Sequence, residues 1–250
     1  MEQLDLQEVQ DFVSKDIVKF HDSRLKVIKE IKLKNVLKKK NPYLFKAKNM
    51  NLASDLIEAI LEAYLSSSEE KIFGDFLEDL AIFISSKTCG GRKSSATGVD
   101  FEFSKDDVLY LVSVKSGPNW GNSSQQRKQA EDFQKALKVL KQSSRISNVE
   151  AVLGICYGKT KTSFLRGYWK YVGQSFWHFI SGNEKLYLDI IEPLGHKAKE
   201  RNEKFKLKRD ALANRLTLEF MKEFCDDKGF INWVKLVKFN SGNLNPRGLM

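Results

Sequence analysis

Apolar side chains first recur at helical spacing, at Leu6, Val9, Phe12, Val13, Ile17, Phe20, Leu25, Ile28, Ile31 and Leu33. The pattern predicts one long helix or two shorter ones over 5–40. Lys38, Lys39 and Lys40 close it ahead of Asn41-Pro42, where a proline stops a helix and cations suit its negative end. After a PYLFKAKN connector the same period returns over 51–66. It resumes in KIFGDFLEDLAIFIS, with Ser66 to Ser68 as cap candidates and Glu69 and Glu70 in the first turn. The glycine- and serine-rich stretch TCGGRKSSATG has no period and reads as a loop.

The period then switches from helical to alternating. V-x-F-x-F at 99–103, an SKDD turn and VLYLVSVK at 108–115 form a predicted hairpin. Leu109, Leu111, Ser113 and Lys115 share one face of its second strand, and Val108, Tyr110, Val112 and Val114 share the other. A basic amphipathic helix follows over 122–145. The continuous apolar run at 149–158 suits a central strand covered on both sides. Glycine- and aromatic-rich connectors lead through GYWKYVGQSFWHFISGN to helical patterns over 184–201 and 204–226, and to a last amphipathic stretch, FINWVKLVKF. Helices, meander, helix, strand, helices is the order of an α/β protein with a small mixed central sheet flanked by helices. One domain over 1–250 is expected, with a helical N-terminal segment at 1–48, a core at 69–160 and a mostly helical part at 161–250.

Charge changes this picture by suggesting a partner. The 42 Lys and Arg residues against 32 Asp and Glu leave a formal charge of +10, which attracts a polyanion and equally serves solubility. Cys89, Cys156 and Cys225 are odd in number and outside any CxxC pair, so reduced, mostly buried thiols are expected, and neither a disulfide framework nor a thiolate zinc site. Three histidines without HxxxH spacing argue against zinc; His21 and His178 read as structural, as do Trp169, Trp177 and Trp233. His196 with Lys197, Lys199 and Arg201 reads as a solvated basic helix face. No run of about 18 apolar residues occurs. The opening MEQLDLQEVQDF is acidic and polar, so a cytoplasmic protein without a membrane partner is expected. No G-x-x-x-x-G-K-[ST] or G-x-G-x-x-G pattern calls for a nucleotide cofactor.

The hairpin carries the candidate chemistry. Phosphodiester hydrolysis needs a divalent ion held by carboxylate oxygens, an in-line water and a cation near the developing charge. Asp100 can hold the ion, Lys115 can supply the cation, and the backbone carbonyl of Val114 is a further candidate ligand. Gly98-Val99-Asp100, twelve residues, then Ser113-Val114-Lys115 resembles the PD-(D/E)XK nuclease motif in the form where serine replaces the second acid. The wider blocks NPYLFKAKN, SSSEEKIFGDFLEDLAIFIS, SVKSGPNWGNSSQ, CYGK, GQSFWHFISGNEKLY and IIEPLGHKAKERNEKF are similar to a group of type II restriction endonucleases over roughly residues 41–205.

The resemblance implies a restriction-endonuclease-like core with Asp100 as metal-binding acid and Lys115 as catalytic lysine. It also implies that a neighbouring helix supplies the second acid. Glu131, on the helix after the hairpin, and Glu78, on the helix before it, are equal candidates, with Glu102 third. The stretch after Lys115 is the candidate DNA contact: Asn119, Trp120, Asn122, Ser123, Gln125, Gln126 and Arg127 carry amides, hydroxyls and a guanidinium suited to bases and phosphates. The competing role there is a turn at 118–121 with Asn122 or Ser123 capping the helix. The expected function is magnesium-dependent, sequence-specific cleavage of double-stranded DNA by a homodimer, acting beside a protective DNA methyltransferase. The rivals are a repair or junction-resolving nuclease of the same fold and a non-catalytic basic nucleic-acid-binding protein.

Overall fold

The computed structural model describes residues 2–143 and 148–242. In chain order the elements are α1 (Leu6–Glu30), α2 (Leu33–Leu37), α3 (Pro42–Ala47), α4 (Ala53–Cys89), β1 (Arg92–Lys93), β2 (Phe101–Lys105), β3 (Val108–Lys115), α5 (Ser123–Ser143), β4 (Val149–Ile155), β5 (Ser163–Leu165), β6 (Tyr168–Val172), α6 (Gln174–Ser181), α7 (Leu186–Asp189), α8 (Ile191–Leu194), α9 (Ala198–Phe224) and α10 (Trp233–Asn240). Their contacts divide the chain into two compact units, one of Met1–Phe20 with Ile72–His196 and one of His21–Lys71 with Lys197–Met250. α1 and α4 each contribute residues to both units.

The first unit holds a six-stranded mixed sheet in the order β1-β2-β3-β4-β6-β5. β2 pairs antiparallel with β1 and β3, β4 runs parallel to β3 and β6, and β5 closes the far edge antiparallel to β6. Alternation along β3 sorts its side chains onto two cores, as predicted. Val112 and Val114 pack with Phe101, Phe103, Phe76, Leu80, Phe176 and Trp177, so α4 and α6 cover that face. Leu109 and Leu111 pack with Ala130, Phe133 and Ala136 of α5 on the other. The strand β4 contributes Val152 to the first core and Ala151 and Leu153 to the second, which is why its sequence is apolar apart from the half-buried Glu150. Each fully buried large apolar side chain contributes about 2 kcal/mol, so these two layers fix the register of the hairpin. The second unit is helical, with Leu33, Val36, Leu56, Ile57, Ile60, Phe205, Leu216, Phe220 and Leu236 in its core.

Several local features depart from the predicted pattern. The 5–40 segment does not: it is two helices, α1 and α2, one of its two predicted forms. Asn41-Pro42 does not merely stop a helix. The Asn41 side chain accepts from the Tyr43 and Leu44 amides and Pro42 takes the first helical position, so the PYLFKAKN connector contains α3. Ser66 to Ser68 do not cap a new helix. They lie inside the single 37-residue α4, where the Ser67 hydroxyl bonds back to the Ala63 carbonyl at 2.9 Å. The hairpin turn is two residues, Asp106-Asp107, both left-handed at φ of 51° and 58°, which is the twist that a two-residue hairpin prefers. The aromatic-rich connector after β4 contains the β5–β6 hairpin and α6. The predicted helix end at 145 lies outside the described residues.

Among the expected structural residues, Trp177 is buried and donates from Nε1 to the Cys156 carbonyl at 3.0 Å. The cysteines are unbridged; Cys156 is buried, and Cys89 and Cys225 are half-buried. Burial pushes all three thiols above their ordinary range. Among the described residues no helix is long and apolar enough to cross a membrane.

Candidate active site

The site forms where β2 and β3 part. Asp100 immediately precedes β2, and its amide donates to the Val112 carbonyl at 2.8 Å, continuing the ladder one step past the strand. The next rung is made by its side chain: Oδ2 accepts from the Val114 amide at 2.6 Å and lies 3.2 Å from Ser113 Oγ. A carboxylate thus replaces a backbone carbonyl, which fixes Asp100 against the end of β3. Within a strand the N–H and C=O of one residue point to the same side. The Val114 carbonyl therefore faces the edge that Asp100 occupies, as its expected role requires.

Lys115 ends β3 on the α5 face, half-buried, with Nζ donating to Ser113 Oγ at 3.1 Å and lying 5.7 Å from the Trp120 ring centroid. Ser113 is 1% exposed. Its hydroxyl touches both Asp100 and Lys115 and so ties the two together.

Glu78 joins this pair from α4. The α-carbon of Gly74, one turn earlier, is close enough to Ser116 that an added Cβ would lie 3.8 Å from its Cβ. The helix therefore passes directly beside the end of β3. Burial first, and then the like charge of Asp100, push the Glu78 carboxyl above its ordinary 4.5; Lys93 and Lys115 oppose this rise and Asp79 adds to it. Asp100, Lys115 and Glu78 are thus within electrostatic reach of one another.

Glu131 is not brought to this point. It is exposed on α5, and the α5 side chain that reaches the site is Gln129, two positions away and so on a different face of the helix. Gln129 is 7% exposed, bonds the Gly98 carbonyl through Nε2 at 2.7 Å, and lies 3.3 Å from Ser113 Oγ through Oε1. Gln129 was missed at the sequence level because glutamine reads as surface, yet its position four residues before buried Phe133 places it on the core-facing stripe. Glu102 is also engaged elsewhere, by Arg92 at 3.0 Å and by Ser94 Oγ at 2.9 Å.

The predicted DNA-contact stretch separates into two sets. Asn122 and Gln125 form a reciprocal capping box at the start of α5: the Asn122 side chain accepts from the Gln125 amide at 3.0 Å, and Gln125 Oε1 accepts from the Asn122 amide at 2.9 Å. Gln126 Nε2 donates to the Gly121 carbonyl at 3.1 Å. Asn119, Ser123 and Arg127 are exposed, and Trp120 is half-buried against the α5 core. His196, Lys197 and Lys199 are exposed, and Arg201 lies 3.9 Å from Asp22.

The family model described as Type II restriction endonuclease EcoO109I matches residues 7–202, most of the chain. This chain belongs to that family. As a member of the EcoO109I family it is a site-specific deoxyribonuclease, a hydrolase that cleaves DNA at a defined sequence, and DNA is its partner. The matched span contains every residue of the site described above. No curated protein matches the chain.

Type II restriction endonucleases generally need a divalent metal. Among the described residues no group of three or more His, Cys, Asp or Glu side chains is assembled to hold one. The donors present fit a hard divalent ion nonetheless. The charge of Asp100 adds to the rise that burial gives Glu78, and carboxylate oxygens such as these are the donors a hard divalent ion takes.

Proposed function

We propose that this member of the EcoO109I family cleaves duplex DNA in a magnesium-dependent reaction centred on Asp100, Glu78 and Lys115. The observation that carries this reading is the convergence of two acids and one lysine at the end of β3, with Asp100 bonded to the Val114 amide and Lys115 to Ser113. Asp100, Glu78 and the Val114 carbonyl would hold the ion. Bound there, a magnesium ion would supply positive charge to the scissile phosphate and lower the pKa of the attacking water. Asp100 is aimed at this task by the Val114 amide. Lys115, anchored on Ser113, presents its ammonium to the phosphate and offsets the negative charge that develops as the bond breaks. Hydrolysis is direct, without a covalent enzyme intermediate.

Asn119, Ser123 and Arg127, exposed in the stretch that follows Lys115 and outside the Asn122–Gln125 capping box, are assigned to the duplex. A palindromic site is matched by a two-fold homodimer. The enzyme acts in the cytoplasm beside a DNA methyltransferase that protects the same sequence.

The test is plasmid cleavage in magnesium with Asp100→Ala, Lys115→Ala and Glu78→Gln proteins. Each is expected to lose about a hundredfold or more in rate while still binding duplex DNA in calcium. Undiminished cutting by purified Asp100→Ala would sink the assignment. Discrete fragments from a sequenced plasmid would identify the site and the stagger of the cut.

A further inference from the structure

We propose that Gln129 is the positioning residue of this nuclease site, holding Asp100 and Lys115 in register from α5 through one amide whose Nε2 donates to the Gly98 carbonyl and whose Oε1 borders the Ser113 hydroxyl. The proposal rests on the assignment of Asp100 and Lys115 as the reacting pair.

Gln129 has both of its polar atoms committed. Nε2 donates to the carbonyl of Gly98, two residues before Asp100, at 2.7 Å, and Oε1 lies 3.3 Å from Ser113 Oγ. The same Ser113 oxygen lies 3.2 Å from Asp100 Oδ2 and accepts from Lys115 Nζ at 3.1 Å. A serine hydroxyl has one proton. It cannot donate to Asp100 and to Gln129 at once. The charged acceptor is favoured, since charge-assisted bonds are the stronger ones. With its proton directed at Asp100, the hydroxyl keeps a lone pair for Lys115 Nζ, and the uncharged Gln129 Oε1 is its alternative acceptor.

Neither a carboxylate nor a cation could replace the amide. A glutamate at 129 would set an oxygen against the Gly98 carbonyl, where a donor now sits, and would add a third negative charge beside Asp100 and Glu78. A lysine could donate to the Gly98 carbonyl but would set a second cation beside Lys115. The amide therefore anchors the segment that carries Asp100 and leaves the charge of the site at two carboxylates and one ammonium.

The experiment uses the full-length protein in three measurements: calorimetric titration with manganese in the absence of DNA, single-turnover cleavage in magnesium, and duplex binding in calcium. Gln129→Ala is expected to weaken manganese binding and slow cleavage by about tenfold or more each, with duplex affinity unchanged. Gln134→Ala, an exposed glutamine on the same helix, should behave as the parent protein. Gln129→Glu, close in size, should bind manganese more tightly than Gln129→Ala yet still cut slowly, because the Gly98 carbonyl has lost its donor. Parent-like cleavage by Gln129→Glu, or parent-like manganese affinity and rate in Gln129→Ala, would overturn the proposal. Asp100→Asn separates the two levels: if it retains manganese binding and cleavage, the site assignment itself fails, whereas an inactive Asp100→Asn beside an unaffected Gln129→Ala removes only the role given to Gln129.

Discussion

Gly98 shows how a single residue constrains the site. Its φ is +75°, a left-handed conformation that side chains rarely adopt, and a Cβ built on it would lie 2.8 Å from the Asp132 Cβ. Both effects act two residues from Asp100. Gly98→Ala is expected to cost about 1–3 kcal/mol from backbone strain alone, with more from the displaced Asp132, and to slow cleavage. Gly167 is a useful contrast, since it is also left-handed at φ +83° but has nothing within 4 Å of an added Cβ. Gly167→Ala should lower the melting temperature less and leave cleavage intact; equal losses in both proteins would show that the contact with α5 does not matter. At this scale the sequence was partly informative. Asp100 and Lys115 stand out because acid and lysine at the ends of paired strands have few structural uses. Gln129 does not, because nothing in a lone glutamine says that a carbonyl and a hydroxyl await it.

Among elements, the hairpin was legible, whereas α3 and the continuity of α4 were not. Alternation in VLYLVSVK sorts side chains to two faces whatever lies beyond them, and both cores agree with it. The turn is the last two residues of the predicted SKDD, because Ser104 and Lys105 extend β2 and two consecutive left-handed aspartates leave no glycine as a marker. The serine run in α4 illustrates competing local signals. Ser, which favours caps, sits mid-helix because the apolar residues on either side remain in phase with two separate cores. This has a consequence with a sign. At a cap, Ser→Ala would destabilise by about 1 kcal/mol. Inside an exposed helical stretch, Ser67→Ala should instead stabilise by about 0.5 kcal/mol. Chemical denaturation of the variant decides between them, and a lowered midpoint would contradict the continuous helix.

The two units bring titratable groups together that are distant in sequence. In the second unit His21 is buried with Arg24, whose Nε donates to Glu69 at 2.8 Å and whose guanidinium lies 3.7 Å from the Phe205 ring centroid. Burial first, then the positive charges of Arg24 and Arg201, hold the His21 imidazole below its ordinary 6.5, with Asp22 opposing. A depressed histidine favours the neutral form in the folded state. Its contribution to stability is full above the unfolded value of 6.5 and is lost as pH falls below that value toward the folded one. The melting temperature is therefore expected to fall between pH 7.5 and pH 5.5 more steeply in the parent than in His21→Gln. Parallel slopes would exclude His21 as the cause. The formal charge of +10 adds to the same trend, since acidification leaves the folded chain with still more positive self-repulsion.

The sequence by itself determined the elements whose periodicity is local, the α/β class that follows from their order, and the pair Asp100 and Lys115. Strand alternation and helical phase depend on each residue's near neighbours, so they can be read along the chain. Tertiary structure alone decided which helices pass beside the end of β3. Glu78 is 22 residues before Asp100 and Gln129 is 14 after Lys115, and spacing alone left Glu131 and Glu78 equal. The packing of α4 against one face of the sheet and α5 against the other determines which side chain of each turn points to the end of β3. A rotation of either helix by one residue would present a different group, and only the burial of Phe76, Leu80, Ala130 and Phe133 fixes that angle.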